Sequence, residues 1–230
     1  MNLAVIPDRG GSKRITRKNV KLFFDRPMLA YSIEAALESQ LFERVIVSTD
    51  DIEIAEVAKS YGAQVPFIRP KNLADDMTAT VPVIKHAISE CEQQGDQFDV
   101  TCCIYATAPF IEATNLVQAF YALKDQQVEY AFPVTEFDYP VQRALKETDN
   151  GLVTMVEPEN YLVRSQDLPK RVHDVGQFYM GTTSAWLDEK PILTSRSVGI
   201  PISRRRAQDI DTEDDWVMAE ALFKLMQSGD

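Results

Sequence analysis

Apolar residues fall along this chain in short runs separated by longer amphipathic stretches. Leu3–Pro7 (LAVIP), Arg44–Thr49 (RVIVST) and Val100–Tyr105 have the length and density of buried strands. From about Pro27 to Ser39, Met28, Leu29, Ile33, Ala36 and Leu37 form a helical stripe, with Pro27 suited to the first turn. Asp50-Asp51 opens a second helix that stops at Gly62, and Gln64–Arg69 reads as a further short strand. Helical spacing returns over Thr80–Gln94 and near Thr114–Gln126, which leads into a strand at Tyr130–Thr135. Between about 136 and 175 the rhythm breaks into a segment rich in proline and charge, read as a hairpin, a lid or a dimerisation arm. Gln177–Met180 and Val198–Ile202 look like later strands, and Thr212 caps an amphipathic helix over Thr212–Gln227.

This alternation predicts an α/β fold over residues 1–230 as one domain: a Rossmann-like, mainly parallel sheet with helices on both faces. Ligands bind such sheets beyond the carboxyl ends of the strands. The loop after the first strand, Asp50, Arg69 and the Ala106–Pro109 turn should therefore share one edge.

The chain's 230 residues suit a single core, and 45% hydrophobic with 26% charged residues excludes wholesale disorder. Three cysteines without C-x-x-C spacing (Cys91, Cys102, Cys103) read as reduced residues of a cytoplasmic protein. The opening apolar stretch is short for a signal peptide, and no apolar run has the length of a membrane span. A net charge of −11 argues against a general nucleic-acid binder. The charge is uneven, however. Arg9, Lys13, Arg14, Arg17, Lys18 and Lys21 face one acid, Asp8, within residues 1–21. That island suits a compact anion or a solvated basic face.

The loop Asp8-Arg9-Gly10-Gly11-Ser12-Lys13-Arg14 follows a strand, where successive backbone N–H groups can form an anion nest. It is neither a P-loop nor a dinucleotide fingerprint. Asp209 and Asp211, one residue apart, share a side if extended. They suit Mg²⁺, which takes one or two carboxylates plus substrate phosphates, and equally Asp211 and Thr212 could only cap the last helix.

The stretch Ile6-Pro7, Arg9–Ile15 and Lys18-Asn19 resembles the signature of the acylneuraminate cytidylyltransferases, the CMP-sialic acid synthetases. The likeness continues in order through Val47–Asp50, Arg69-Pro70, Thr107–Pro109 and Asp209–Thr212. Phe137–Leu145, Arg164–Leu168 and His173–Tyr179 most resemble the pseudaminic acid branch.

The resemblance implies a nucleotide-diphospho-sugar transferase type of fold with a small dimerisation excursion, and a homodimer. It implies transfer of CMP from CTP to the anomeric hydroxyl of a nonulosonic acid, a nine-carbon 2-keto sugar acid, with release of pyrophosphate. The rivals are activation of neuraminate, legionaminate or KDO, and a catalytically silent nucleotide or sugar binder. Arg9, Gly10, Gly11, Ser12, Lys13, Lys18, Asn19 and Arg69 would bind the nucleotide, with Lys13, Asp209 and Asp211 catalytic. Asp209 and Asp211 would hold Mg²⁺. Asp8, a departure from the family beside Arg9 and Lys13, either weakens nucleotide binding or, the preferred reading, serves as an additional Mg²⁺ ligand opposite that pair; the alternative is that it turns away and satisfies backbone N–H groups of the loop. Sugar contacts fall on Tyr105, Gln142, Arg143, Arg164, His173, Gln177 and Tyr179. His86 reads as a structural helix residue. No dedicated base emerges; Asp211, a metal-bound hydroxide and His173 are candidates in that order. Thr16 and Ala106 stand where the family commonly has proline, Tyr105 near a position that is glutamine in sialic acid enzymes, and Asp8 where it has a small neutral residue.

Overall fold

Strand β1 (Asn2–Pro7) lies inside the sheet, with Leu3, Ala4, Val5 and Ile6 fully buried. In the computed structural model, which describes residues 1–11 and 14–228, its side chains divide between two cores. Ala4 and Ile6 enter one; Leu3 and Val5 enter the other. A strand covered on both faces needs a continuous apolar run rather than an alternating one, which LAVIP supplies.

The chain continues through short strands β2 (Leu22–Phe23) and β3 (Arg26–Pro27), then α1 (Met28–Glu38), β4 (Arg44–Ser48) and α2 (Ile52–Ser60). Next come α3 (Thr80–Glu92), β5 (Val100–Ile104), α4 (Ala113–Asp125) and β6 (Tyr130–Glu136). The irregular segment contains a small hairpin, β7 (Leu145–Glu147) with β8 (Val153–Met155), and then β9 (Val172–Asp174). β10 (Phe178–Thr182), α5 (Thr183–Leu187), β11 (Ser197–Pro201) and α6 (Glu213–Gln227) follow.

The main sheet has the order β11-β6-β10-β5-β1-β4, with β9 paired to β6. β1 is parallel to β4 and β5, and β6 is parallel to β11. The α/β expectation holds: the sheet is mixed but mostly parallel. Leu29, Ile33, Ile54, Ala58, Leu116 and Ala119 bring α1, α2 and α4 onto one face. Ile84, Ala87, Ile88 and Trp186 bring α3 and α5 onto the other.

Two strand expectations change. Gln64–Arg69 forms no strand; it touches the sheet through one bridge, Ile46 to Gln64. Pro66 has no N–H to donate, so the segment leaves the ladder and returns only where Arg69 N donates to Thr49 O at 2.8 Å. The strand expected at Gln177–Met180 is β10, and it runs antiparallel between β5 and β6. Gly181 permits this insertion, because a Cβ there would lie 2.6 Å from Tyr130 ring carbons and 2.8 Å from Trp186 Nε1.

Local signals govern the helix ends. Asp51 caps α2, its Oδ1 accepting from Glu53 N at 2.8 Å and Ile54 N at 3.1 Å. Gly62, at φ +93°, follows the last turn. Thr212 caps α6 in a reciprocal box with Asp215. A third core joins α6 to the β2–β3 turn through Phe23, Phe110, Ile210 and Trp216. Cys91, Cys102 and Cys103 are buried and unpaired, and burial pushes all three thiols up, which disfavours the reactive thiolate. His86 sits within α3 with its ring against Phe67.

Candidate functional site

β1 has β4 on one side and β5 on the other, so the chain leaves the sheet in opposite directions around it. A crevice opens at such a point beyond the carboxyl ends of the strands. Here it is a cleft of about 750 Å³, bordered by Pro7 at the end of β1, Tyr105–Thr107 after β5, and the segment containing Ala207, Asp209 and Asp211.

The basic island separates into two groups. Arg9, Arg14 and Lys18 line the cleft, joined by Arg69. Arg17 turns away to Asp51 and Glu53, and Lys21 lies 4.4 Å over the Trp216 ring while pairing with Glu213. The cleft cations also have carboxylate partners: Arg9 pairs with Asp76, while Arg14 reaches Asp211 at 2.5 Å and Lys18 reaches it at 3.5 Å. Ser12 and Lys13, both expected in the nucleotide site, lie outside the described residues.

Gly10 and Gly11 do not border the cleft. Gly10 N donates to Asp50 Oδ1 at 3.1 Å, and a Cβ on Gly10 would meet Asp51 Oδ2 at 2.6 Å. Close backbone approach to the β4–α2 turn explains that glycine.

Asp8 departs from its expected seat opposite Asp209 and Asp211. It is 1% exposed beneath the cleft, with Asn19 Nδ2 donating to its Oδ1 and no partner for Oδ2. Burial pushes its carboxyl up to about 7, against the lowering effects of Asn19 and Arg69. Among the described residues, no group of three or more histidine, cysteine or acidic side chains could hold a metal ion. The loop buries Asp8 because its backbone N–H continues the β1–β4 ladder to Ser48 O at 3.0 Å. Arg69 Nη2 donates to the Asp8 carbonyl, and burial lowers the Arg69 pKa while the Asp50 and Asp8 charges oppose that shift.

The 207–211 segment spans the cleft. Gln177 Nε2 donates to Arg206 O at 2.7 Å at one end, and Lys18 Nζ donates to Ile210 O at 2.5 Å at the other. Asp209 is exposed between these anchors. Asp211 is half-buried, and its N–H donates to Asp215 at 3.1 Å.

Tyr105, His173 and Tyr179 border the same cleft, the two phenol rings edge-on with centroids 5.9 Å apart. Tyr179 OH donates to Asp174 Oδ2 at 2.5 Å, and the Tyr105 hydroxyl lies 3.0 Å from Thr80 Oγ1. Burial pushes the Tyr105 phenol up to about 12; burial and the Asp174 bond push Tyr179 up as well. Both phenols therefore stay neutral. His173 Nδ1 lies 2.8 Å from Asp174 O, a carbonyl that can only accept, so in the neutral ring the proton sits on Nδ1 and the lone pair on Nε2.

Other expected sugar contacts lie elsewhere in this chain. Gln142 is buried and donates to Pro169 O at 2.6 Å, Arg143 donates to Val163 O at 2.6 Å, and Arg164 pairs with Asp167 at 2.7 Å. All three brace the irregular segment instead of bordering the cleft. Gln177 lies beneath the 207–211 segment. Thr78, Thr80, Thr107 and Asp174 border the cleft without having been singled out as site residues. Asp174 could have been found as the acid beside His173; Thr78 and Thr80 carried no local signal.

Comparison with known proteins agrees with this architecture. The family model described as "Cytidylyltransferase" matches residues 3–217. The pseudaminic acid cytidylyltransferase of Campylobacter jejuni is 45% identical over 224 residues, covering 97% of each chain. A Helicobacter pylori protein named pseudaminic acid cytidylyltransferase and UDP-2,4-diacetamido-2,4,6-trideoxy-beta-L-altropyranose hydrolase is 38% identical over 209 residues. That match covers 90% of this chain and 40% of the relative. The solved structure of a CMP:2-keto-3-deoxy-manno-octonic acid synthetase complexed with CTP superposes with a TM-score of 0.70. It covers 98% of this chain and 99% of that one at 16% identity, a likeness of fold.

Proposed function

Because the chain belongs to the cytidylyltransferase family, we propose that it transfers CMP from CTP to the anomeric hydroxyl of pseudaminic acid, releasing pyrophosphate. The observation that carries this reading is that one cleft gathers Arg9, Arg14, Lys18 and Arg69, the group Tyr105, His173 and Tyr179, and the carboxylates Asp209 and Asp211.

The reaction is a single in-line displacement at the α-phosphorus. Charge gathers on phosphate oxygens, so cations and positioning supply most of the acceleration. Arg9, Arg14 and Lys18 exchange their carboxylate partners for the triphosphate, joined by Lys13 and Ser12; Asn19 and Arg69 position the nucleoside. Arg14 and Lys18 both lean on Asp211, so their transfer to the triphosphate would free that carboxylate. Asp209 and Asp211 suit magnesium, which takes two carboxylates when phosphate oxygens and water complete its shell. Bound there, the ion would neutralise developing phosphate charge.

A carboxylate engaged by magnesium is a poor base, which sets Asp211 aside. His173, with Nε2 free to accept, is better suited to take the sugar's hydroxyl proton. The irregular segment, residues 136–175, exposes Tyr139, Leu152, Val153, Tyr161 and Leu162. Those apolar surfaces support a homodimer built on this arm, which would carry Arg143 and Arg164 toward the partner's cleft, with Gln142 buried inside the arm. One catalytic domain acting in the cytoplasm completes the reading.

The test is pyrophosphate release with CTP, Mg²⁺ and a panel of sugar acids. Pseudaminic acid should give the highest kcat/KM. Equal values for N-acetylneuraminic acid would reject the sugar but keep the reaction; no turnover with any acid would leave a silent binder.

A further inference from the structure

Asp8 has no part in the chemistry above, yet it is buried beneath the nucleotide end of the cleft. Its Oδ1 accepts from Asn19, its carbonyl accepts from Arg69, and its Oδ2 is buried without a partner. Asn19 and Arg69 both border the cleft, so Asp8 touches the nucleotide site through two of its own residues.

Charged groups approach Asp8 from the surrounding elements. Arg69 comes from the segment after α2, and Asp50 and Asp51 from the β4–α2 turn. Asp51 is itself engaged by Arg17, and neighbouring Arg9 is engaged by Asp76. Ser48 contributes its backbone carbonyl. When ionised, Asp8 places a poorly screened negative charge under a polyanion site and offsets the Arg69 guanidinium. When protonated, it removes both effects, can still accept from Asn19, and gains an O–H donor on its unpartnered oxygen.

We infer that Asp8 is a proton-linked restraint on nucleotide binding, acting through Arg69 and Asn19: its ionisation weakens CTP binding, and bound CTP draws a proton onto it. This rests on the CTP reading above. Linkage requires the two halves to be reciprocal. With burial holding the carboxyl at about 7, the transition lies near neutral pH.

The experiment is calorimetric CTP binding without metal, at about pH 5.5, 7 and 8.5, in buffers of different ionisation heat. The wild-type chain, Asp8→Asn and Asp8→Ala are compared. The three should bind alike at the acid end, while at the alkaline end both variants should bind about tenfold more tightly than wild type, a coupling of ordinary size. Near neutrality the wild type should take up more protons on binding than either variant. Titration of the CTP phosphates is common to all three and cancels in the comparison. Superimposable affinity curves with equal proton uptake would overturn the inference. Should neither variant fold, wild-type uptake no greater than the CTP phosphates account for would overturn it as well. Loss of CTP binding by the folded wild type at every pH would instead sink the nucleotide reading itself.

Discussion

Phe23→Ala should loosen the C-terminal helix and, through it, the acidic side of the cleft. Phe23 is fully buried, and its ring meets those of Phe24, Tyr31, Phe110, Trp216 and Phe223 edge-on at centroid separations between 5.2 and 6.5 Å. Deleting a buried phenylalanine costs about 3–5 kcal/mol. Aromatic pairs add about 0.5–1.5 kcal/mol each beyond area, but five contacts on one ring are not additive, so about 4–5 kcal/mol is the expected loss. The damage should concentrate in α6, whose buried residues are Trp216 and Ala219. Ile210 and Asp211, the partners of Lys18 and Arg14, lie directly before that helix. Urea unfolding measures the total loss. Amide exchange compares α6 with β1, and the KM for CTP measures the effect on the cleft. Phe23→Leu, which keeps most of the bulk, should lose only about 1–2 kcal/mol. A loss below about 1 kcal/mol for Phe23→Ala, or equal deprotection of α6 and β1 with unchanged KM, would refute the coupling.

Asp209→Ala and Asp211→Ala should each cut turnover by several orders of magnitude in folded protein, and normal turnover would remove the metal assignment. Asp211→Ala should also lose about 0.5–1 kcal/mol of stability with its two partly exposed ion pairs, measurable by urea unfolding. Asp8→Asn should change the pH dependence of stability. The unfolded wild-type carboxyl ionises near pH 3.8, whereas the folded one holds its proton to about 7. The native state therefore binds the extra proton between those values, so this contribution is present below the lower pH and lost as pH rises through the upper. About three pH units correspond to about 4 kcal/mol of wild-type loss relative to Asp8→Asn, read from urea midpoints in acid and at about pH 8. Parallel profiles would contradict the buried, protonated Asp8.

The local rules that sequence can express account for much of the fold. LAVIP could satisfy a doubly covered strand, Asp51 and Thr212 carry the oxygen an exposed helix start needs, and Gly62 tolerates the positive φ after α2. Each depends on side-chain period or on hydrogen bonds within a few residues. Gln64–Arg69 carried strand-like side chains, but Pro66 and the position of β4 decided that only its ends meet the sheet. The place of β10 depended on a gap between β5 and β6 and on Gly181 fitting against Tyr130 and Trp186.

The cleft divides along the same line. Its basic loop and the Asp209–Asp211 pair were legible in composition, spacing and family resemblance. Which of the described cations border the cleft was not, because residue type and neighbouring sequence do not fix where a long basic side chain points. Arg14 meets Asp211 across 197 positions of chain, while Arg17 is claimed by Asp51 and Lys21 by Trp216 and Glu213. Likewise, only the path of the folded backbone buries the Asp8 side chain under Asn19 and Arg69 and brings Thr80 to Tyr105. Side-chain type sets what a residue can bond to; the long-range packing of the sheet and α6 decides what stands within reach and how much water screens it.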